Sequence, residues 1–266
     1  MFGMRLSLLT VVFLLGMEAM AGETIRQHSH VVVDGWAEEW VLKWSGPVKA
    51  VCSVLAPAQA SCPCTGFAYG EQGQLILERH RAAAVVDTLN LSTLFAEYDN
   101  PADEGNAALV RIPHAASDPV DAADDPGTLR AFENTLRTRP PVDVMTLADY
   151  SQDGMQSSFL LQVGNAPCGK REMTLVGVSR RQPRLHVFSS TGHPERPLVL
   201  QDGAWAAVLA TGGHATFTDW TCGDHGSETE LEQIIDAHAG TLSVQANTYA
   251  CRKDGARGPL LRSEAQ

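Results

Sequence analysis

Six cysteines restrict how this chain can fold. All of them follow an apolar leader, and their number is even. In an exported protein this composition predicts disulfides that staple the fold. Structural zinc is the alternative, but the Cys-x-Cys pair is closer than the usual Cys-x₂-Cys spacing. Six cysteines allow fifteen pairings, and closeness in sequence favours pairing the first with the second or third. The cysteines are Cys52, Cys62, Cys64, Cys168, Cys222 and Cys251.

The leader itself predicts export. Arg5 precedes an apolar run over residues 6–17, and Ala19 and Ala21 form a small-x-small cleavage pattern. This order is typical of a secretory signal peptide over residues 1–21. The run is too short to span a bilayer, so a first buried helix is the other interpretation. We expect a secreted or periplasmic protein with no membrane span after cleavage.

The net charge narrows the classes of partner. The formal charge is −11 at pH 7. Binding of such an acidic chain to nucleic acid or to an anionic membrane surface is disfavoured, because like charges repel. The charge is compatible with cation binding, while the partner itself stays unknown from the sequence.

Hydrophobic periodicity predicts an α+β protein of mostly antiparallel β-sheet with a few short helices, stapled by disulfides. We expect a β-rich N-terminal half over 22–126 with an acidic loop at 99–126, and a β-rich C-terminal half over 127–253. The tail 254–266 is polar and is expected to be disordered. Strand patterns cover 38–45, 74–78, 85–87, 142–148, 159–163, 173–179, 184–188, 197–200 and 215–221, and helical spacing covers 89–95, 128–137 and 202–210.

Two stretches allow more than one structure. Residues 227–237 fit a capped helix, but their two-residue period favours a hairpin of 228–236 with 241–250. Residues 23–30 look like a loose polar leader, in which His28 and His30 are potential metal ligands.

A row of tryptophans stands near the N-terminus. Trp36, Trp40 and Trp44 recur every four residues and share one face of a strand. Core packing is the commoner use of such a row, and carbohydrate binding is the alternative.

An oxygen-rich loop at 149–157 has the pattern of a calcium site. Ligand-type residues occupy its first, third and fifth positions, with Gly154 at the sixth. Hard cations need oxygen ligands at alternating positions of a tight loop. An EF-hand is excluded because Leu160 stands where the bidentate Glu should be. The predicted ligands are Asp149, Ser151, Asp153, Met155 through its carbonyl, and Ser157.

This strand–loop–strand stretch resembles the calcium loop of integrin-type FG-GAP repeats. Asp149, Asp153 and Gly154 match that pattern, whereas Ser151 and Ser157 replace expected Asp or Asn residues. The resemblance implies at most one weak Ca²⁺ site, because affinity falls with the number of ligand charges. An Asx-type turn, in which the Asp side chains accept backbone amides, explains the same residues.

A wider pattern is similar to an exported bacterial protein family of unknown function. It combines the motifs at 62–71, 159–169 and 222–228 with the loop. The resemblance implies no activity.

The enzyme hypothesis depends on a second polar cluster. His and carboxylate side chains at close spacing can hold a metal or transfer protons, so a metal-dependent hydrolase is the alternative function. A polar turn after a disulfide explains the same residues, and the absence of a catalytic motif favours a non-enzymatic binding or structural module. The candidate catalytic residues are Asp224, His225 and Glu228, with Asp219 and His214 near them in sequence.

Overall fold

The computed structural model describes residues 22–51, 69–95, 107–113, 126–166 and 170–266. The predicted signal peptide lies outside the described residues, as do Cys52, Cys62, Cys64, Cys168 and most of the acidic loop 99–126. In the described part, no helix is both long and apolar enough to cross a membrane.

The described chain is mostly antiparallel β-sheet, as the periodicity predicted. Two α-helices are present, α1 (Pro126–Thr138) and α2 (Asp202–Thr211). The strands are β1 (Thr24–Val33), β2 (Trp36–Trp44), β3 (Lys49–Val51), β4 (Tyr69–Gly73), β5 (Leu75–Arg81), β6 (Ala84–Asn90), β7 (Ala108–Ile112), β8 (Ser158–Ala166), β9 (Lys170–Gly177), β10 (His186–Val187), β11 (Val199–Gln201), β12 (His214–Trp220), β13 (Thr229–His238), β14 (Thr241–Cys251) and β15 (Arg257–Ala265).

The strands form four antiparallel sheets. The first has the order β1-β2-β5-β6 and the second β3-β4-β7. In the third, β9 pairs with β8, β10 and β11. The fourth has the order β12-β13-β14-β15.

The third sheet is shared by two hydrophobic cores. Val176 and Leu175 are neighbours on β9 and both are fully buried, but they belong to different cores because alternate residues point to opposite faces. The first core joins Trp40 of the first sheet to Phe159 of β8. The second joins the third sheet to α2 through Trp205 and to the fourth sheet. The first core therefore draws on both predicted halves of the chain.

The predicted hairpin at 228–250 is confirmed. β13 and β14 pair from Thr229 opposite Ala250 to His238 opposite Thr241. Ala239 and Gly240 form the turn, with φ values of 48° and 82°, which suits a tight hairpin connection. Cys222 and Cys251 are joined by a disulfide, with Cα atoms 5.3 Å apart.

Two segments, expected to be a loose polar leader and a disordered tail, are instead strands. Residues 24–33 form β1, which pairs with β2 across an Asp34–Gly35 turn. The tail contributes β15, which pairs with β14. Both segments are rich in polar residues because each is mostly exposed, and backbone pairing with a long neighbouring strand orders them nonetheless.

Residues 89–95 are not one short helix, because residues 89 and 90 end β6 and only Ser92–Phe95 forms a 3₁₀ helix.

Residues 142–148 are the remaining correction. They alternate like a strand, but they form only one isolated bridge, between Ala148 and Ser158. The side-chain oxygen of Gln27 accepts hydrogen bonds from the backbone amides of Val144 and Met145 at 2.7 and 2.9 Å. A side chain of β1 thus takes the place of a strand partner.

Candidate functional site

The loop 149–157 is held by its own carboxylates. Asp149 Oδ1 accepts the amide of Asp153 at 3.0 Å, and Asp149 Oδ2 accepts the amide of Gly154 at 2.9 Å. Gln152 and Gly154 have positive φ values of 51° and 84°, and Gly adopts such angles without steric cost. These are the hydrogen bonds of the Asx-type turn.

The second carboxylate ties the loop to a neighbouring segment. Asp153 Oδ1 accepts the amide of Met155 at 3.0 Å, and Oδ2 accepts the amide of Arg180 at 2.7 Å. All four carboxylate oxygens therefore accept a backbone amide. A bound ion would compete with those bonds, so we expect weaker Ca²⁺ binding than two free carboxylates would give.

The other predicted ligands point to structural roles. Ser157 is buried and its hydroxyl donates to the carbonyl of Val178 at 3.0 Å. The side chain of Met155 packs in the first core. The carbonyl of Ser151 accepts the amide of Gly240 at 3.0 Å, which links the loop to the β13–β14 turn. No three His, Cys, Asp or Glu side chains of the described residues are grouped, as they stand, to hold a metal ion.

The loop forms one wall of a cavity of about 550 Å³ that the sequence did not predict. The opposite wall is the edge of β1 with the Asp34–Gly35 turn. Arg180 is exposed here, and its Nη2 lies 3.7 Å from the point that a Cβ on residue 154 would occupy. Among the described residues, no acceptor hydrogen-bonds or pairs with its guanidinium, although the Asp153 carboxylate fixes its backbone. The sequence around Arg180 does not predict this position, because the Asx-type loop beside it belongs to a separate segment of the chain.

Two members of the wider hydrolase cluster, Asp219 and His214, have partners outside it. Lys170 donates to Asp219 Oδ1 at 3.1 Å and to its backbone carbonyl, and Gln201 donates to the same carboxylate oxygen. Lys170 Nζ also lies 3.5 Å from the centre of the Trp220 ring. The carboxylate of Asp219 is thus engaged by Lys170 and Gln201. A general acid or base would need an oxygen that is free to contact a substrate.

The rest of that cluster follows the disulfide. Asp224 lies in a 3₁₀ turn, Asp224–Gly226, and Glu228 is exposed at the start of β13. The side chain of His225 lies outside the described residues. His214 pairs instead with Asp236, with Nδ1 and Oδ1 2.5 Å apart. The catalytic role of Asp224, His225 and Glu228 stays a prediction.

The tryptophan row lies on β2, but it is not a carbohydrate platform. Trp40 and Trp44 are 0 % and 2 % exposed, whereas Trp36 is 59 % exposed at the end of the strand. Buried indoles cannot stack on a sugar. The platform hypothesis is wrong for the row, because Trp40 and Trp44 fill the first core.

Comparisons with protein-family models, with curated proteins and with solved structures found no match. The resemblance to FG-GAP repeats and to an exported bacterial family therefore stays a prediction from the motifs. The candidate site has to be judged by its own chemistry.

Proposed function

We propose that this protein is a secreted or periplasmic binding module without catalytic activity, and that its ligand occupies the cavity beside Arg180. The observation that carries the proposal is the position of this guanidinium. It faces a cavity of about 550 Å³, which is within the range of small-molecule sites, about 300–1,000 Å³.

The chemistry of the cavity favours a ligand with a carboxylate or another anionic group. A guanidinium presents a planar fork of donors that matches a carboxylate in two parallel hydrogen bonds. Val31, Leu147 and Met155 supply apolar lining beside it. A short acidic metabolite or a peptide with a free carboxylate has an anionic group for the guanidinium and an apolar part for the lining.

The loop 149–157 has a supporting role in this proposal. Its Asp153 carboxylate accepts the Arg180 amide, so the backbone that carries the guanidinium is anchored. Gly154 leaves room beside Nη2, and any other residue there would have to adopt a φ of +84°, which L side chains rarely adopt. The carboxylates that resemble calcium ligands therefore act here as positioning groups.

The test is a thermal-shift titration of the full chain with dicarboxylates, N-acetylated amino acids and inorganic phosphate. We expect at least one carboxylate to raise the melting temperature of wild type and of Arg184→Gln, but not of Arg180→Gln. Arg184 is a matched control because it is exposed, lies four residues along the chain and does not line the cavity. No shift with any probe, or an equal shift in Arg180→Gln, would overturn the proposal.

Weak calcium binding at 149–157 is tested separately. Because each Asp oxygen already accepts an amide, we expect millimolar Ca²⁺ to raise the melting temperature of chelator-treated protein only slightly. Asp153→Asn should abolish that rise, and Asp87→Asn, on β6, should not. A complete absence of heat in calorimetric titration at millimolar Ca²⁺ removes the ion prediction.

A further inference from the structure

Three histidines and a glutamate occupy neighbouring positions on one face of the first sheet. His30 of β1, Glu39 of β2 and His80 of β5 lie directly opposite one another across the three strands. His28 stands two residues before His30 on β1, opposite Val41. Directly opposite residues point to the same side of a sheet, and so do residues two apart. All four side chains therefore leave the same face.

The spacing of these positions suits one metal ion. Opposite Cβ atoms on adjacent strands are about 4.5–5.5 Å apart, so His30 and His80 are separated by about 10 Å with Glu39 between them. His28 and His30 are about 7 Å apart along the strand. An ion above Glu39 would be within reach of imidazoles on both sides, with Zn–N bonds of about 2.0–2.1 Å.

One pair of these groups is already hydrogen-bonded, and His80 is bonded to a neighbouring carboxylate on the same strand. His28 Nδ1 and Glu39 Oε1 are 2.5 Å apart, and the two side chains are 45 % and 44 % exposed. His80 Nε2 and Glu78 Oε2 are 3.0 Å apart. A divalent cation would displace the proton shared by His28 and Glu39, while His30 and His80 turn toward it.

Glu78 would keep a partner when His80 turns away. Its other oxygen, Oε1, pairs with Lys43 Nζ at 2.8 Å, and Lys43 also pairs with Glu23 at 2.9 Å. The carboxylates on this face outnumber its lysine, which favours cation approach.

We propose that His28, His30, Glu39 and His80 form a binding site for a transition-metal ion such as Zn²⁺, Ni²⁺ or Co²⁺. Imidazole and carboxylate ligands suit these borderline ions, and Ca²⁺ prefers sites made of oxygen alone. The site is independent of the anionic ligand proposed for the cavity. It shares only His30 with the cavity lining.

Calorimetric titration of the chelator-treated, tag-free full chain with Zn²⁺ tests the site. We expect one ion per chain, with little competition from millimolar Ca²⁺. Loss of a group that orients a ligand typically weakens metal binding about 10–100-fold, so Glu39→Gln should weaken it at least tenfold. His30→Gln and His80→Gln should weaken it by at least as much.

The matched control is His193→Gln. His193 also pairs with a glutamate, Glu195, at 3.0 Å and is part-exposed, but it lies in a loop away from the first sheet. His214→Gln is a second comparison, because His214, Asp236 and His238 share one face of the fourth sheet with only two imidazoles. Binding that survives His30→Gln and His80→Gln, or that is lost in His214→Gln, would overturn the proposal.

A spectroscopic measurement separates ligation from a change in folding. Co²⁺ added to wild type should give visible absorption from nitrogen ligation, and this absorption should fall in His28→Gln and His80→Gln. The metal-free melting temperatures of these variants should equal that of wild type. Unchanged Co²⁺ absorption in both variants would reject the site whatever the titration shows.

Discussion

The two faces of the first sheet use the same residue types in opposite ways. Glu38 and Glu39 are neighbours on β2, but the Glu38 side chain is 0 % exposed and the Glu39 side chain is 44 % exposed. Glu38 faces a cluster of arginines inside the protein, and Glu39 faces histidines at the surface. The parity of a strand position therefore decides whether a carboxylate holds the fold together or is accessible to a ligand.

The inner cluster joins the first sheet to the loop before β10. Arg79 donates through Nε and Nη2 to both oxygens of Glu38, each at 2.8 Å, and Arg81 donates to Oε1 at 2.7 Å. Arg79 Nη1 donates to the carbonyl of Pro183 at 2.7 Å. The Leu185 amide donates to Asp87 Oδ2 at 2.6 Å. Each buried charge thus has a partner, which burial requires.

The largest effect should come from breaking this inner cluster. Glu38→Ala leaves Arg79 buried without its carboxylate, and removing one partner of a buried pair costs about 3–5 kcal/mol. Glu39→Ala is the control on the outer face, where an exposed pair contributes about 0–1 kcal/mol. Urea unfolding measures both free energies. Equal losses in the two variants would contradict the difference between the faces.

Acid should destabilise the protein through protonation of Glu38 on the inner face. Burial raises the pKa of Glu38, but hydrogen bonds from Arg79, Arg81 and Trp40 outweigh it, so the pKa lies below its ordinary value of 4.5. A lowered folded-state pKa gives stability that is complete above the unfolded pKa and is lost as pH falls through the folded one. We expect wild type to lose stability below about pH 4.5 more steeply than Glu38→Gln does. Urea unfolding between pH 3 and pH 7 measures the free energy of both proteins. If the two curves against pH were parallel, Glu38 would not contribute to the acid sensitivity.

Trp36 should give the smallest effect, because it lies at the exposed end of β2, on the same side as Glu38 and Trp40. It is exposed, and Arg81 stacks over its ring at 5.1 Å from the centroid. Trp36→Ala should cost about 0.5–1 kcal/mol, the usual size of an exposed cation–π contact. Trp40→Ala should cost about 3–5 kcal/mol, because it leaves a cavity in the first core. Both tryptophans belong to the same row on β2. Similar losses in the free energy of unfolding would show that Trp36 is buried in solution.

Much of the local structure followed from the sequence. The β13–β14 hairpin was predicted from its two-residue period and from the Ala239–Gly240 turn, and α2 from the spacing of Trp205 and Leu209. Both signals depend on neighbours in the chain, so they are readable without tertiary contacts. The oxygen-rich loop was placed correctly before β8, because Asp and Gly favour tight turns. The strand expected on its other side, at 142–148, is only the isolated bridge of Ala148.

The candidate site was predicted less well. The sequence identified Asp149 and Asp153, but their partners are backbone amides, one of them from Arg180 in a separate segment. It did not identify the cavity, because the β1 edge and residue 180 are about 150 residues apart in the chain. The polar composition of β1 and β15 led to the wrong prediction of unstructured segments. An exposed strand is stabilised by backbone hydrogen bonds to a neighbouring strand, and it does not require apolar side chains.

The sequence by itself determined the alternation of β2, the positions of the turns and the charge of each side chain. Only the tertiary structure decided that Trp40 and Glu38 face inward, and that Glu39 pairs with His28 and stands opposite His30 and His80 in the sheet. A two-residue period states that alternate residues differ, but it does not state which set is buried. That choice depends on distant segments that pack against one face of the first sheet, such as Phe159 of β8 in the first core and Pro183, whose carbonyl accepts a hydrogen bond from Arg79.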